Sequence, residues 1–237
     1  MTSGPKISTI VTDIEGTTSS IRFVHEVLFP YAAEHMARFV QQNQAREDVA
    51  ALLADVVALA GLPDDNIDGV VAQLQQWIQD DQKITPLKTL QGLLWQEGYE
   101  QGHFKGHVYA DANANLRAWA ETGMALYVYS SGSVAAQKLI FGYSEFGDLT
   151  PCFKGYFDTH IGAKREVQSY RNILSELGVT PEQVLFLSDI EAELEAASAA
   201  GMQTVWLVRD GEIPAAGAQY EVARDFDEVN QWLIGTR

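Results

Sequence analysis

The chain has 237 residues, 46% of them apolar and 10% aromatic, and carries a formal net charge of −16. That length allows one large domain or a core with a smaller partner domain, and a globular chain of this size buries roughly 70–75% of its unfolded surface without needing staples. The acidic surface argues against nucleic acid and against adsorption to an anionic membrane, but it leaves room for a small anion held by a local cation and a few donors.

The single cysteine, Cys152, can form no intrachain disulfide, so nothing signals an oxidising compartment. The first apolar run, Ile7 to Val11, is too short for a leader, and no apolar stretch approaches the ~20 residues of a membrane span. The expected location is the cytoplasm.

In chain order, Ile7 to Thr12 reads as a short buried strand that stops at Asp13-Ile14-Glu15-Gly16-Thr17-Thr18, a loop at its carboxyl end. From about Arg22 to Lys105 the apolar residues recur at helical spacing: Val27, Leu28, Tyr31, Met36, Phe39 and Val40, then Val49, Leu52, Leu53, Val56 and Val57, then Val70, Val71, Leu74, Trp77 and Ile78. Pro86 suits the start of one more helix. Nothing in this stretch reads as a strand.

After Gly106 strands and helices alternate. A helix (113–121) precedes the strand Ala125 to Tyr129 and Ser130-Ser131-Gly132-Ser133. A helix near 134–141 follows, then a short strand at Phe157 to Ile161, then Gly162, Ala163 and Lys164. Next come a helix (167–177), a strand Val184 to Leu187, a loop from Ser188, a helix (192–199), a strand Thr204 to Val208 and a terminal surface helix (226–233). This alternation predicts an α/β fold with a doubly wound, mostly parallel sheet and an inserted all-helical domain. The expected division is a discontinuous core, 1–19 and 107–237, with 20–106 inserted.

Parallel strands bring their carboxyl ends to one edge. Asp13 and Glu15, Ser130 and Ser131, and Asp189 with Glu193 one turn later all sit at such ends. Alone, each has a plainer reading: Asp189 and Glu193 suit a helix N-terminus, the serines suit a turn, and Lys164 suits a solvated surface. Together the carboxylates need a cation, and hard oxygen ligands suit Mg²⁺, which takes one or two carboxylates, water and a substrate phosphate. Lys164 and Ser130 would supply donors to the remaining phosphate oxygens.

In these motifs the chain resembles the haloacid dehalogenase superfamily of phosphatases. Asp13 to Thr17 matches the first motif, the serine after Leu126–Tyr129 the second, Lys164 the third, and Asp189 with Glu193 the fourth. The stretches 13–32, 102–111, 126–144 and 186–197 resemble more narrowly its enolase-phosphatase family, acting in methionine salvage. The superfamily usually has Asp two residues after the nucleophile; Glu15 here fits the narrower family.

The resemblance implies a core capped by the helical insert, with Asp13 as nucleophile, Glu15 as acid and base, and Lys164, Ser130 and Ser131 at the phosphate. It implies one Mg²⁺ per chain at Asp13, Glu15 (through its carbonyl) and Asp189, with Glu193 and Thr17 in support. It also implies a monomer acting on a small phosphorylated diketone, first enolised and then dephosphorylated. His25, Phe29, Lys88, His103 and Lys105 are the insert's candidates for substrate contact, although packing or exposure explains each of them as well. A sugar-phosphate phosphohydrolase or phosphomutase is the alternative enzyme. A phospho-accepting receiver module would be about half this length and would lack the insert. A catalytically silent scaffold is a further alternative.

Overall fold

The computed structural model describes residues 6–63, 66–213 and 220–235. The chain divides into two units: Arg22–Lys105 forms one, and the chain up to Ile21 together with that from Gly106 onward forms the other.

The first of these is helical and has no strand among its described residues. It begins within α1 (Ile21–Phe23), which runs through a π turn (Val24–Leu28) into α2 (Phe29–Asn43). Three more helices follow, α3 (Glu47–Ala60), α4 (Ile67–Gln79) and α5 (Thr85–Glu100). Their boundaries have local causes. Gly61 ends α3 at φ 64°, a left-handed position that glycine adopts without penalty. The Asn66 side chain caps α4 by accepting from Gly69 N at 2.9 Å. Pro86 occupies the first turn of α5, where its missing N–H leaves no gap. Met36, Phe39 and Val40, Val49, Leu53 and Val56, Val70, Leu74 and Ile78, and Leu87, Leu90 and Leu94 form one core, each set falling on one face of its helix, three or four residues from the set's first or preceding member.

Among its described residues the second unit holds a six-stranded, fully parallel sheet. Its strands are β1 (Thr9–Thr12), β2 (Ala125–Tyr129), β3 (Gly155–Phe157), β4 (Val184–Ser188), β5 (Gln203–Leu207) and β6 (Glu221–Ala223), in the order β3-β2-β1-β4-β5-β6. Its helices are α6 (Ala110–Glu121), α7 (Val134–Gly142), α8 (Val167–Leu177), α9 (Glu191–Ala199) and, after β6, α10 (Phe226–Gly235). Every residue of β1 and β4 is buried, as expected of central parallel strands covered on both faces. The order reverses direction between β1 and β4, and in open α/β sheets ligands bind outside the carboxyl ends at such a point. The register sets these ends level: Thr12 pairs with Val128 on one side and with Leu187 on the other.

Three details differ from the sequence reading. The strand expected at 157–161 ends at Phe157, because Asp158 turns the chain there. Its carboxylate accepts from His160 N at 2.9 Å and from Val134 N at 3.2 Å, tying the end of β3 to the start of α7. The edge strand β6 has only three residues, too few to show a pattern. Finally, α10 buries Phe226, Val229 and Leu233, and Trp119 of α6 stacks on Phe226 and donates to Asn230 at 3.0 Å.

Asp158 gives a test with a defined pH window. Burial alone would raise its carboxyl, but the His160 N–H and ring and the Val134 N–H outweigh it and hold the group below the ordinary aspartate value. A lowered pKa contributes stability above the unfolded value, and that contribution is lost as pH falls through the folded one. Asp158→Ala is expected to cost about 1–3 kcal/mol in denaturant titration near neutral pH. The difference from wild type should shrink as pH falls below about 4.

Candidate functional site

Asp13 directly follows β1, is 2% exposed, and is fixed from several sides. Its N–H donates to Leu187 O at 2.9 Å, carrying the β1–β4 pairing one residue further. Its Oδ1 accepts from Ile14 N at 2.8 Å and meets Lys164 Nζ at 2.6 Å. Its carbonyl accepts the Thr18 hydroxyl at 3.1 Å. The loop then closes on itself, because Ile14 O accepts the N–H groups of Thr17, Thr18 and Ser19. Gly16 sits at φ 75°, and a Cβ there would run into the Asp189 carboxylate. Glycine at this point thus serves both the turn and the close approach of the two acidic loops.

Lys164 Nζ reaches Glu193 Oε2 at 2.8 Å as well as Asp13, with its side chain only 10% exposed. Glu193, in the first turn of α9, also accepts the Ser188 hydroxyl at 2.8 Å. Burial opposes the lysine's charge, but Asp13 and Glu193 outweigh it and raise its pKa. Burial, followed by Asp13's charge, raises Glu193, while Lys164 and Ser188 pull it back. Glu15 is raised by burial and then by Asp13, with Lys164 and a long 3.5 Å contact from Ser130 opposing. Asp189 is pushed up to about 7 by burial and then by Asp13.

Of the expected site residues, the structure gathers Asp13, Glu15, Ser130, Lys164, Asp189 and Glu193 at the carboxyl edge near β1, β2 and β4. Ser130 is 1% exposed and braces the following turn by accepting from Gly132 N at 3.1 Å. Ser131 is exposed. Thr17 contributes its backbone: its hydroxyl is buried without a partner, while its carbonyl accepts Arg209 Nε at 2.9 Å and Nη2 at 2.6 Å. In the helical unit, His25 packs edge-on against Phe29, Phe29 stacks on Trp95, and His103 Nδ1 lies 2.8 Å from the Tyr31 hydroxyl.

The sequence reading missed Arg209. Its Nη1 also bonds Asp111 Oδ2 at 2.7 Å, and its guanidinium lies 4.1 Å from the Tyr109 ring. The loop after Asp13 is further tied to Tyr109 N through Thr18 O, and to the His107 ring through Ser20 N at 3.0 Å. An arginine just past a strand end, with its partners 98 and 192 positions away, leaves no local pattern to read.

Among the described residues no three His, Cys, Asp or Glu side chains group as a ready-made metal centre. The donors do fit a cation that needs fewer. Asp189 Oδ1 is buried with no hydrogen-bond partner, an arrangement that costs free energy unless something positive meets it. Mg²⁺ is content with one or two carboxylates, water and a ligand's oxygens.

Asp189 yields a test of that fit. Its folded value of about 7 lies above the ordinary 3.8, so metal-free stability attached to this group is present below the unfolded value and is lost as pH rises through the folded one. In chelator, Asp189→Asn should therefore gain melting temperature relative to wild type between about pH 5 and about pH 8. Added Mg²⁺ should stabilise wild type and leave the variant unchanged. Equal Mg²⁺ shifts in both proteins would count against the site.

A family model of haloacid dehalogenase-like hydrolases matches residues 7–201. A relative from Marinobacter nauticus, named enolase-phosphatase E1, is 55% identical over 96% of this chain and 98% of its own. One of the same name from Methylococcus capsulatus is 54% identical over 96% of this chain and 100% of its own. Among solved structures, the UTR4 protein of Saccharomyces cerevisiae superposes with a TM-score of 0.80 at 37% identity, covering 94% of this chain and 99% of its own. The L-2-haloacid dehalogenase of Xanthobacter autotrophicus, at 15% identity and a TM-score of 0.57 over 98% of this chain and all of its own, shares the fold.

Proposed function

The chain belongs to the haloacid dehalogenase-like hydrolases and, within them, to the enolase-phosphatase E1 family, and from that membership we propose how its residues divide the work. The reaction is conversion of 2,3-diketo-5-methylthiopentyl 1-phosphate to the acireductone 1,2-dihydroxy-3-keto-5-methylthiopentene and phosphate, a step of methionine salvage. One observation carries the reading: a buried lysine bridges Asp13 and Glu193 beside Asp189, whose Oδ1 is buried with no hydrogen-bond partner.

Asp13 is the nucleophile. Ile14 N and Lys164 both hold Oδ1, so the carboxylate cannot rotate, and Oδ2 is the oxygen assigned to attack phosphorus in line. The bond to the ester oxygen breaks as the aspartyl-phosphate forms. Lys164, already charged and desolvated, turns its N–H donors to the equatorial oxygens, with the Ser130 hydroxyl beside it. The Ser131 hydroxyl belongs to the same phosphate-binding turn. Glu193 keeps the lysine in place and Thr17 anchors the nucleophile loop.

Glu15 handles protons. As carboxylate it would take a proton from the carbon bearing the phosphate ester, leaving the enolate, whose oxygen takes a separate proton from solvent to give the enol. Glu15 then holds the proton from carbon as a carboxylic acid, a form that its burial and Asp13 favour, and returns it to the ester oxygen as phosphorus leaves. In the second half it activates the water that cleaves the acyl phosphate. Its side chain, one methylene longer than aspartate, reaches both the carbon and its neighbouring oxygen.

One Mg²⁺ per chain would be held by Asp13, Asp189 and the Glu15 backbone carbonyl, and when bound it supplies positive charge against the phosphoryl group. The proposed setting is a cytoplasmic monomer. No helix among the described residues is long and apolar enough to cross a membrane.

The test follows enol absorbance and phosphate release separately on the diketo phosphate. Glu15→Asp is expected to slow the two steps unequally, each by about 10-fold or more, in line with a displaced general acid–base. Wild-type rates for both would remove Glu15 from the proton path.

A further inference from the structure

Lys164 carries a demand that its own side chain cannot meet. A lysine stem has four rotatable carbons, so where its ammonium lies depends on where its backbone is held. That backbone lies in the irregular segment between β3 and α8, with no ladder or helix to fix it.

Four successive carbonyls of this segment nevertheless each accept a hydrogen bond from a side chain. Ile161 O accepts from Asn172 Nδ2 at 3.0 Å, and Gly162 O from the Tyr129 hydroxyl at 2.9 Å. Ala163 O accepts from Ser169 Oγ at 2.7 Å, and Lys164 O from the Tyr170 hydroxyl at 2.7 Å. Three donors come from α8 and one from the last residue of β2, so the segment is strung between two regular elements. Tyr129, Ser169 and Tyr170 are all buried. Gly162, at φ 136°, has no room for a Cβ beside Ser169, which shows how closely the segment lies on α8. The Tyr129 ring is 5.6 Å from that of Tyr170 and 5.8 Å from Lys164 Nζ, so it faces the ammonium as well as bonding the backbone. Burial raises both phenols, so they remain protonated donors at any working pH.

We propose that Tyr129, Ser169, Tyr170 and Asn172 are positioning residues for Lys164, fixing four consecutive peptide planes so that its ammonium meets the phosphoryl oxygens. This rests on the reading of Lys164 as the phosphoryl donor. Peptide carbonyls in an irregular segment ordinarily turn to water; here each points at a side-chain donor, and three of the four donors are buried. Loss of one donor frees one peptide plane without opening a cavity, and a displacement of about 1 Å at such a group can cost on the order of 100-fold in rate.

Tyr129→Phe and Ser169→Ala each delete one hydroxyl while keeping the apolar frame. For both, and for Lys164→Met, kcat, the inorganic phosphate dissociation constant and the Mg²⁺ dissociation constant would be measured. Each hydroxyl deletion is expected to lower kcat by about 10-fold or more and to weaken phosphate by about 3-fold or more, with Mg²⁺ affinity unchanged within about 2-fold. Lys164→Met should act in the same direction and more strongly. Wild-type kcat and phosphate affinity in both hydroxyl variants would overturn the proposal, as would parallel loss of phosphate and Mg²⁺ affinity, the mark of general loosening. If one variant fails to fold, the other decides. Normal phosphate affinity and kcat in Lys164→Met would instead refute the reading of Lys164, a result distinct from failure of the hydroxyl variants alone.

Discussion

The structure turns on a charge problem at the carboxyl edge of the sheet. Asp13, Asp189, Glu15 and Glu193 are brought together where water is scarce, and one lysine answers two of them. Their mutual repulsion and desolvation show in the raised Asp189, Glu15 and Glu193 carboxyls. Breaking a buried ion pair by removing one partner leaves an uncompensated charge, so Lys164 and the Asp13 and Glu193 carboxylates depend on one another. The remaining deficit, at Asp189 Oδ1, suits a divalent cation.

This problem follows from the topology. A strand order that reverses between β1 and β4 sets the Asp13 and Asp189 loops side by side, and the level register allows no offset between them. Gly16 permits the approach by leaving space where any side chain would collide. The loop beyond it is anchored from behind by Arg209, itself paired with Asp111 and stacked on Tyr109, and the lysine segment by side chains of β2 and α8. Rigid elements thus hold both flexible partners of the ion pair, which is the condition for preorganised electrostatics.

How much of this was legible in sequence depended on range. Central strands such as Val184–Ser188 read as strands because both faces are apolar, and the helices of 22–105 announced themselves through their three-to-four spacing. Asp13, Glu15, Asp189 and Lys164 stood out because strand ends and a resemblance to known motifs marked them. The limit of β3 did not, since Asp158 is held there in part by Val134 N, 24 positions away in the chain. Tyr170 reads as one more apolar position of α8, and nothing local shows that its hydroxyl holds Lys164 O. Arg209 is the same case across 192 positions. Patterns of period two or 3.6 report burial, whereas hydrogen bonds between distant segments leave no periodic trace.

In the proposed mechanism the phosphoryl group passes through Asp13. The direct measurement is to quench a single turnover of the diketo phosphate, reduce the acyl phosphate with tritiated borohydride and map the label by peptide sequencing. Tritiated homoserine is expected at position 13 and nowhere else, disappearing when turnover is allowed to finish before quenching. Label at another carboxylate, or full phosphate release with no label at any time point, would contradict the mechanism.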